Sequence, residues 1–127
     1  MQLPARILSN LLYKLLVFPA LILAFSRWFP EWIYFADQRP PVFLSILFIA
    51  IGLVADETIL PWLGNQTATL QGFLFMAVVT WGTSFMLAGA EVTLSGAILL
   101  GAALGVVEYV MHCWLLQQRE KETHHRP

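Results

Sequence analysis

Residues 40–60, PPVFLSILFIAIGLVADETIL, contain no charged side chain before Asp56 and Glu57. Two prolines open the stretch, and the first turn of a helix tolerates proline because its backbone N–H groups have no intrahelical partner. A helix of about 20 predominantly apolar residues is long enough to cross the hydrocarbon core of a bilayer. We therefore predict a membrane-spanning helix at about residues 41–60, with two carboxylates near its far end.

The rest of the chain repeats this pattern three times. Further apolar stretches cover about residues 7–25, 67–87 and 93–116, and a polar tail, 117–127, follows. The composition agrees, since 58% of the residues are hydrophobic and 12% are charged, against roughly 25% charged residues in soluble domains. The sequence predicts an all-α, polytopic membrane protein whose single domain, 1–127, is one bundle of four transmembrane helices. A cleaved signal peptide is the competing interpretation of the first stretch, but Lys14 interrupts its apolar run.

Local signals predict the connections between the helices. Residues 26–40 mix aromatic rings with charges, which is typical of chain lying among lipid headgroups. Pro61 and the pair Gly64-Asn65 are expected to end the second helix, and Asn65 or Thr67 to cap the third. Residues 88–92 are expected to form a tight turn, after which Thr93 caps the fourth helix.

The distribution of positive residues predicts the orientation in the membrane, because Lys and Arg near helix ends stay on the cytoplasmic side. Two positive residues, Arg27 and Arg39, flank the first loop. Five belong to the side that carries the termini: Arg6, Lys14, Arg119, Lys121 and Arg126. We predict that both termini lie in the cytoplasm.

Several ionisable residues fall inside the predicted helices, where an unpaired charge is costly. With a rise of 1.5 Å per residue, Lys14 and Glu108 lie roughly 10–12 Å from the same membrane surface and therefore share a layer. Asp56 and Glu57 lie closer to that surface. Each group could instead reach headgroups or water, a lysine most easily because its long side chain snorkels.

Glu108 lies on a helix face that joins small and ionisable residues. At 100° per residue, Gly101, Gly105, Glu108 and His112 fall within a stripe about 60° wide. The two glycines form a GxxxG pattern, which lets another helix approach closely. We expect this face to point into the bundle.

Three roles are open to these residues. Lys14 could neutralise Glu108 and lock the packing of the first and fourth helices, or Glu108 and His112 could exchange protons in transport. The lock is the simpler hypothesis. A metal site is not expected, because Cys113 lies 100° from His112 around the helix, and no motif indicates a cofactor, a catalytic set or, at a net charge of −1, a nucleic acid.

A longer set of residues resembles a known family. The chain is similar to the YndM-like family of small four-span bacterial membrane proteins in the segment ADETILPWLGNQTAT, residues 55–69, and in EYVMH at 108–112. Lys14 and Trp81 also fit this resemblance. The resemblance implies a four-helix membrane bundle and supplies no activity. The positions that match include all members of the expected intramembrane polar cluster: Lys14, Asp56, Asn65, Glu108 and His112.

The sequence therefore predicts a non-enzymatic protein of the bacterial cytoplasmic membrane with a structural, regulatory or accessory role. The alternative is a small oligomeric transporter or channel linked to protons or cations. Its partners are expected to be the lipid bilayer and either further copies of the chain or another membrane protein, which the aromatic first loop could hold.

Overall fold

The computed structural model describes residues 5–124. Within this part of the chain four helices and two short strands follow one another in the order α1 (Ala5–Trp28), β1 (Ile33–Phe35), α2 (Arg39–Leu63), α3 (Asn65–Met86), β2 (Ala90–Val92) and α4 (Leu94–His124). All four helices are long and apolar enough to cross a membrane, and they pack together. The predicted all-α bundle of four transmembrane helices is confirmed. Of the polar tail, Arg126 and its two neighbours lie outside the described residues, whereas 117–124 continue α4.

The boundary between α2 and α3 differs from the prediction at Pro61. This proline lies inside α2. The helix ends at Leu63, and Gly64 follows it with a φ of 86°, a backbone conformation that glycine adopts at little cost. Proline cannot donate to the carbonyl of Glu57, four residues earlier. Arg119 of α4 supplies the missing donor, with its Nη2 3.0 Å from that oxygen. The helix therefore continues through Pro61 because a neighbouring helix completes its hydrogen bonding.

A two-stranded antiparallel ribbon closes the end of the bundle away from the chain termini. Ile33 pairs with Val92, and both side chains are buried. The prediction of a loop over 26–40 and a tight turn over 88–92 was therefore wrong at these strands. Strands of three residues are too short to show a sequence period, which explains the omission. Thr93 caps α4, as expected, by accepting from the N–H of Gly96 at 3.0 Å.

The loop that enters α2 is held by Asp37. Its carboxylate accepts from the backbone N–H of Arg39 at 2.8 Å and from the guanidinium of the same residue at 3.0 and 3.2 Å. These side-chain and backbone hydrogen bonds from Arg39 lower the pKa of Asp37 from its ordinary value.

The interior of the bundle is divided into two halves. Near the ribbon the core is mainly apolar and uncharged, with Phe18, Ile22, Leu44, Phe48 and Leu100 among its buried residues, and it also holds the hydroxyl groups of Ser45, Thr80 and Thr83. Toward the chain termini the interior holds the buried charged side chains, beside a smaller apolar cluster of Leu60, Met111 and Leu115. The polar half contains the candidate site.

Candidate site: a buried charge cluster beside a membrane-facing cavity

One stripe of α1 carries the polar side chains that this helix contributes to the interior. Arg6, Asn10, Lys14, Phe18 and Ile22 are spaced four residues apart, so they lie along one face of the helix. The last four of these are buried. The face therefore changes from polar to apolar as the helix runs from the terminal end toward the ribbon.

Lys14 joins three helices. Its ammonium lies 3.0 Å from Oδ2 of Asp56 on α2 and also forms an ion pair and hydrogen bond with Oε1 of Glu108 on α4. The side chain of Lys14 is 0% exposed, so it does not snorkel to the surface. The expectation that Asp56 could reach headgroups or water does not hold in this structure, because Asp56 is buried against Lys14 and 2% exposed.

His112 bridges the same two carboxylates from the other side. Its Nε2 lies 3.0 Å from Oδ1 of Asp56 and 2.9 Å from Oε2 of Glu108. Its Nδ1 faces Oδ1 of Asn65 at 2.9 Å and the hydroxyl of Thr69 at 3.0 Å. Since acceptors surround both ring nitrogens, an imidazolium with a proton on each nitrogen satisfies the arrangement. In that form two positive and two negative groups balance.

These four residues form one unit, which we call the charge cluster: Lys14, Asp56, Glu108 and His112. A buried charge is costly unless it is paired and hydrogen-bonded. Each member contacts two other members of opposite charge, and the four residues come from α1, α2 and α4. The cluster therefore ties these three helices together at one depth.

Two asparagines complete the surroundings of the charge cluster. Asn10 donates to Oδ2 of Asp56 at 2.8 Å. Asn65 does not cap α3, contrary to prediction, because no side-chain hydrogen bond caps that helix. Its amide nitrogen instead lies 3.3 Å from the carbonyl of Tyr109 and 3.2 Å from Sγ of Cys113. Asn65 therefore links α3 to α4 and supports His112.

A second ion-pair layer lies nearer the terminal end of the bundle. Glu57 accepts from Nη2 of Arg6 on α1 at 2.5 Å and from Nη2 of Arg119 on α4 at 3.2 Å. It connects the same three helices as the charge cluster. Charges thus run inward from the surface in two successive layers.

Gly101 and Gly105 face α3. A Cβ atom added at Gly101 would lie 3.1 Å from Cβ of Ala77 and 3.3 Å from the carbonyl of Phe73, and one added at Gly105 would lie 3.6 Å from Cβ of Phe73. The absence of side chains at these positions lets α3 approach the helix that carries Glu108 and His112.

A cavity of about 350 Å³ adjoins the charge cluster. Most of its lining belongs to α2 and α3, and Phe18 of α1 and Glu108 and His112 of α4 also contribute. Asp56, Glu108 and His112 supply the ionisable groups of its lining, and Ile51 and Gln71, which are both exposed, stand on its walls. The cavity therefore connects the cluster with the lipid-facing surface of the bundle.

Three donors in this cluster are close enough to hold a metal ion. One ligand atom each of Asp56, Glu108 and His112 lies within 4.8 Å of the others. The ammonium of Lys14, however, contacts both carboxylates. A metal ion would have to displace this ammonium, so the geometry fits an ion-pair network better than a metal centre.

The five predicted polar residues, Lys14, Asp56, Asn65, Glu108 and His112, come together in this site. Sequence reasoning missed Asn10, Thr69 and the layer around Glu57. Asn10 could have been predicted as a neighbour of the cluster, because it lies four residues before Lys14 on the same helix face. The same reasoning applies to Thr69, because it lies four residues after Asn65 on α3.

This geometry defines a class of protein: a multi-pass membrane bundle of four helices with paired charges in its interior. Residues 7–127 match the family described as "Protein of unknown function (DUF2512)", and the chain belongs to this family. No curated protein and no solved structure matches the chain.

Proposed function

We propose that this chain is a non-enzymatic, accessory protein of the bacterial cytoplasmic membrane, in which the charge cluster acts as a structural lock. The observation that carries the proposal is the position of Lys14, whose ammonium contacts carboxylates of two other helices. Charged groups find these partners only when α1, α2 and α4 adopt one arrangement. The lock thereby selects a single packing of helices that lipid alone would not specify.

The apolar half of the bundle favours a lock over a conduction path. Beyond Lys14 the core consists of packed side chains such as Phe18, Phe48 and Leu104, each at most 1% exposed. A proton or ion that reached the charge cluster from the terminal side would meet this apolar layer. Within residues 5–124 the ionisable groups of the interior belong to the terminal half alone.

We also propose that both termini lie in the cytoplasm, with Arg6 and Arg119 at that surface. The partners of the chain are the lipid bilayer and a further copy of the chain or another membrane protein. Within its family, we assign the chain to the YndM-like proteins on the residues of the segment 55–69.

A double-mutant cycle tests the lock. Lys14→Met leaves two carboxylates and one histidine, and we expect it to lower the free energy of unfolding by roughly 3–5 kcal/mol. Glu108→Gln should cost less, because Lys14 and Asp56 remain paired and the loss of one proton from His112 restores the charge balance. The double variant should be more stable than the sum of the two changes predicts, since Asp56 and His112 then balance. The measurement is reversible unfolding of purified protein in mixed micelles.

Lys121→Met is the matched control, because Lys121 is exposed at the end of α4 and its removal should change stability by less than about 0.5 kcal/mol. Additive effects of Lys14→Met and Glu108→Gln would refute the lock.

Proton-linked or cation-linked transport is the second candidate function. The cavity favours it, because it brings Glu108 and His112 next to the lipid-facing surface. Purified protein in liposomes tests this function through proton flux, with Glu108→Gln as the comparison. Flux that is present in the wild type and lost in the variant would support transport, and equal flux in protein-free and wild-type liposomes would exclude it.

A further inference from the structure

The cavity beside the charge cluster has an acidic polar wall. Two carboxylates, those of Glu108 and Asp56, line it together with the imidazole of His112, whereas the ammonium of Lys14 belongs to a side chain that is 0% exposed. The side chain of Glu108 keeps 8% exposure. A molecule in the cavity would therefore meet carboxylate oxygens and the edge of an imidazole, while the buried ammonium of Lys14 lies next to Gly52, which also lines the cavity.

Apart from Gln71, the remaining lining is apolar and aromatic. Phe18, Phe48, Phe75 and Met76 surround the space between α2 and α3. A volume of about 350 Å³ lies near the lower end of the roughly 300–1,000 Å³ typical of small-molecule pockets. The cavity therefore fits a compact apolar body better than a whole lipid.

We propose that this cavity binds a small lipophilic ammonium ion, with its charged nitrogen against Glu108 and its apolar body between Phe48 and Phe75. The lining favours a cation over an anion, because a phosphate or carboxylate headgroup would face two carboxylates, whereas the one cationic group of the lining, His112, can release its proton when a cation binds. Aromatic rings in the lining add favourable contacts with an ammonium group.

Binding of the cation is coupled to a proton on His112. With His112 as imidazolium the charge cluster is neutral, so an added ammonium would leave a buried positive charge. Loss of the proton from Nδ1 of His112 to water restores neutrality. The hydroxyl of Thr69, which donates to Oδ1 of Asn65, lies 3.0 Å from Nδ1 and can then turn its hydrogen to this nitrogen, while Nε2 keeps its N–H toward Asp56 and Glu108.

The groups around His112 support this exchange. Asp56 faces it from α2, Glu108 from its own helix, and Asn65 and Thr69 from α3, while Lys14 of α1 contacts the same two carboxylates. None of the side chains from α3 carries a charge. The charge cluster is therefore neutral with either the second proton on His112 or the bound ammonium, and not with both.

Photolabelling tests the proposal with a ligand of fixed charge. The probe is a hexyltrimethylammonium ion with a diazirine in its chain, and its control is the isosteric neutral molecule that ends in a tert-butyl group. The full chain is reconstituted in lipid nanodiscs, and labelled peptides are mapped by mass spectrometry. We expect the cation to label residues 51–59 and 68–76, and unlabelled hexyltrimethylammonium to compete.

Two glycines of α3 offer a matched pair of variants. A Cβ atom at Gly72, which lines the cavity, would meet only the flexible end of Met76 at 3.9 Å, and one at Gly82 would meet nothing within 4 Å among the described residues. Gly72→Leu should fill the cavity and reduce competable labelling at least about tenfold, whereas Gly82→Leu should not change it. Glu108→Gln should also weaken binding at least about tenfold, the usual effect of losing a charged contact.

Acidification provides a further readout that steric effects would not produce. The apparent affinity for the cation should fall by up to about tenfold per pH unit when one proton competes with it. Equal competable labelling by the neutral isostere would overturn the proposal. Unchanged labelling in Gly72→Leu, or labelling spread evenly over lipid-facing residues, would overturn it as well.

Discussion

Lys14 ends in a space that leaves little room for another atom. A Cβ atom added at Gly52 of α2 would lie 3.3 Å from Nζ of Lys14 and 3.6 Å from its Cε. The ammonium cannot easily retreat, because Asp56 and Glu108 hold it from two sides. The missing side chain at Gly52 is therefore part of the charge cluster's geometry.

Alanine substitutions at two glycines test this constraint at the residue scale. In an exposed or roomy helix interior, alanine is more stable than glycine by roughly 0.5–1 kcal/mol. Gly82→Ala should show this gain, because its Cβ meets no atom within 4 Å in the described part of the chain. Gly52→Ala should instead lower the free energy of unfolding by roughly 1–2 kcal/mol, as overpacking does.

Unfolding in mixed micelles measures both variants. An equal gain in stability at the two positions would show that Lys14 is free to move, which contradicts the account of a fixed ammonium.

Single residues of the site could be predicted to the extent that they carry charge. Lys14 and Glu108 drew attention because a charge inside an apolar helix is costly, and simple helical geometry placed them in one layer. Asn10 is neutral, so the same argument did not single it out. The contact of His112 with Asn65 depends on how α3 meets α4, which no local pattern specifies.

At the scale of elements, the continuity of α2 depends on a side chain from another helix. Pro61 removes the donor for the carbonyl of Glu57, and Arg119 of α4 donates to that oxygen at 3.0 Å. Arg119 also contacts Oε1 of the same glutamate at 3.2 Å. One guanidinium thus supports both the backbone and the side chain of one residue.

Restoring the backbone donor should make the arginine less important. We expect Arg119→Leu to lower the free energy of unfolding by about 1–3 kcal/mol, because the carbonyl of Glu57 and its carboxylate lose a charged donor. In a Pro61→Ala background the N–H of residue 61 can bond to that carbonyl, so the same change should cost about 1 kcal/mol less. A double-mutant cycle in micelles measures the coupling.

Identical costs of Arg119→Leu in the two backgrounds would show that the carbonyl contact contributes nothing. Pro40→Ala is a suitable control background, since this proline lies in the first turn of α2 and leaves no carbonyl unpaired.

The helices could be predicted as elements, and the ribbon could not. Long apolar stretches have one stable solution in a bilayer, a helix that satisfies its own backbone. Residues 33–35 and 90–92 lie far apart in the sequence and meet only through the packing of the helices between them, and each strand is too short to show alternation. The prediction that Pro61 ends the second helix was wrong for the same reason, because the hydrogen bond from Arg119 that replaces the missing backbone donor joins two helices.

At the scale of the whole molecule, the bundle has a polar half and an apolar half. Two ion-pair layers lie toward the chain termini, and the core near the ribbon is apolar. The cavity could not be predicted from the sequence, because its shape depends on how far α2 and α3 separate.

The orientation of the bundle can be tested with single cysteines. In a Cys113→Ser background, a cysteine is introduced at Gln38 in the first loop or at Glu120 near the end of α4, both of which are exposed. Acidic residues contribute little to topology, so replacing Glu120 should not change it. In intact cells a membrane-impermeant thiol reagent should label Gln38→Cys and leave Glu120→Cys unlabelled until the cells are lysed.

Labelling of Glu120→Cys in intact cells, with Gln38→Cys protected, would reverse the predicted orientation. The charge cluster would then lie nearer the outer surface of the membrane, although its internal pairing would be unchanged.

The charges inside this bundle are paired with one another across helices. The sequence contains two lysines, Lys14 and Lys121, so solid-state NMR of protein in lipid with ¹⁵Nζ-labelled lysine and ¹³C-labelled carboxyl groups tests this pairing directly. Lys14→Met assigns the signals. We expect the Nζ of Lys14 to show dipolar couplings to the carboxyl carbons of both Asp56 and Glu108. A Lys14 signal without coupling to either carboxyl group would contradict the account.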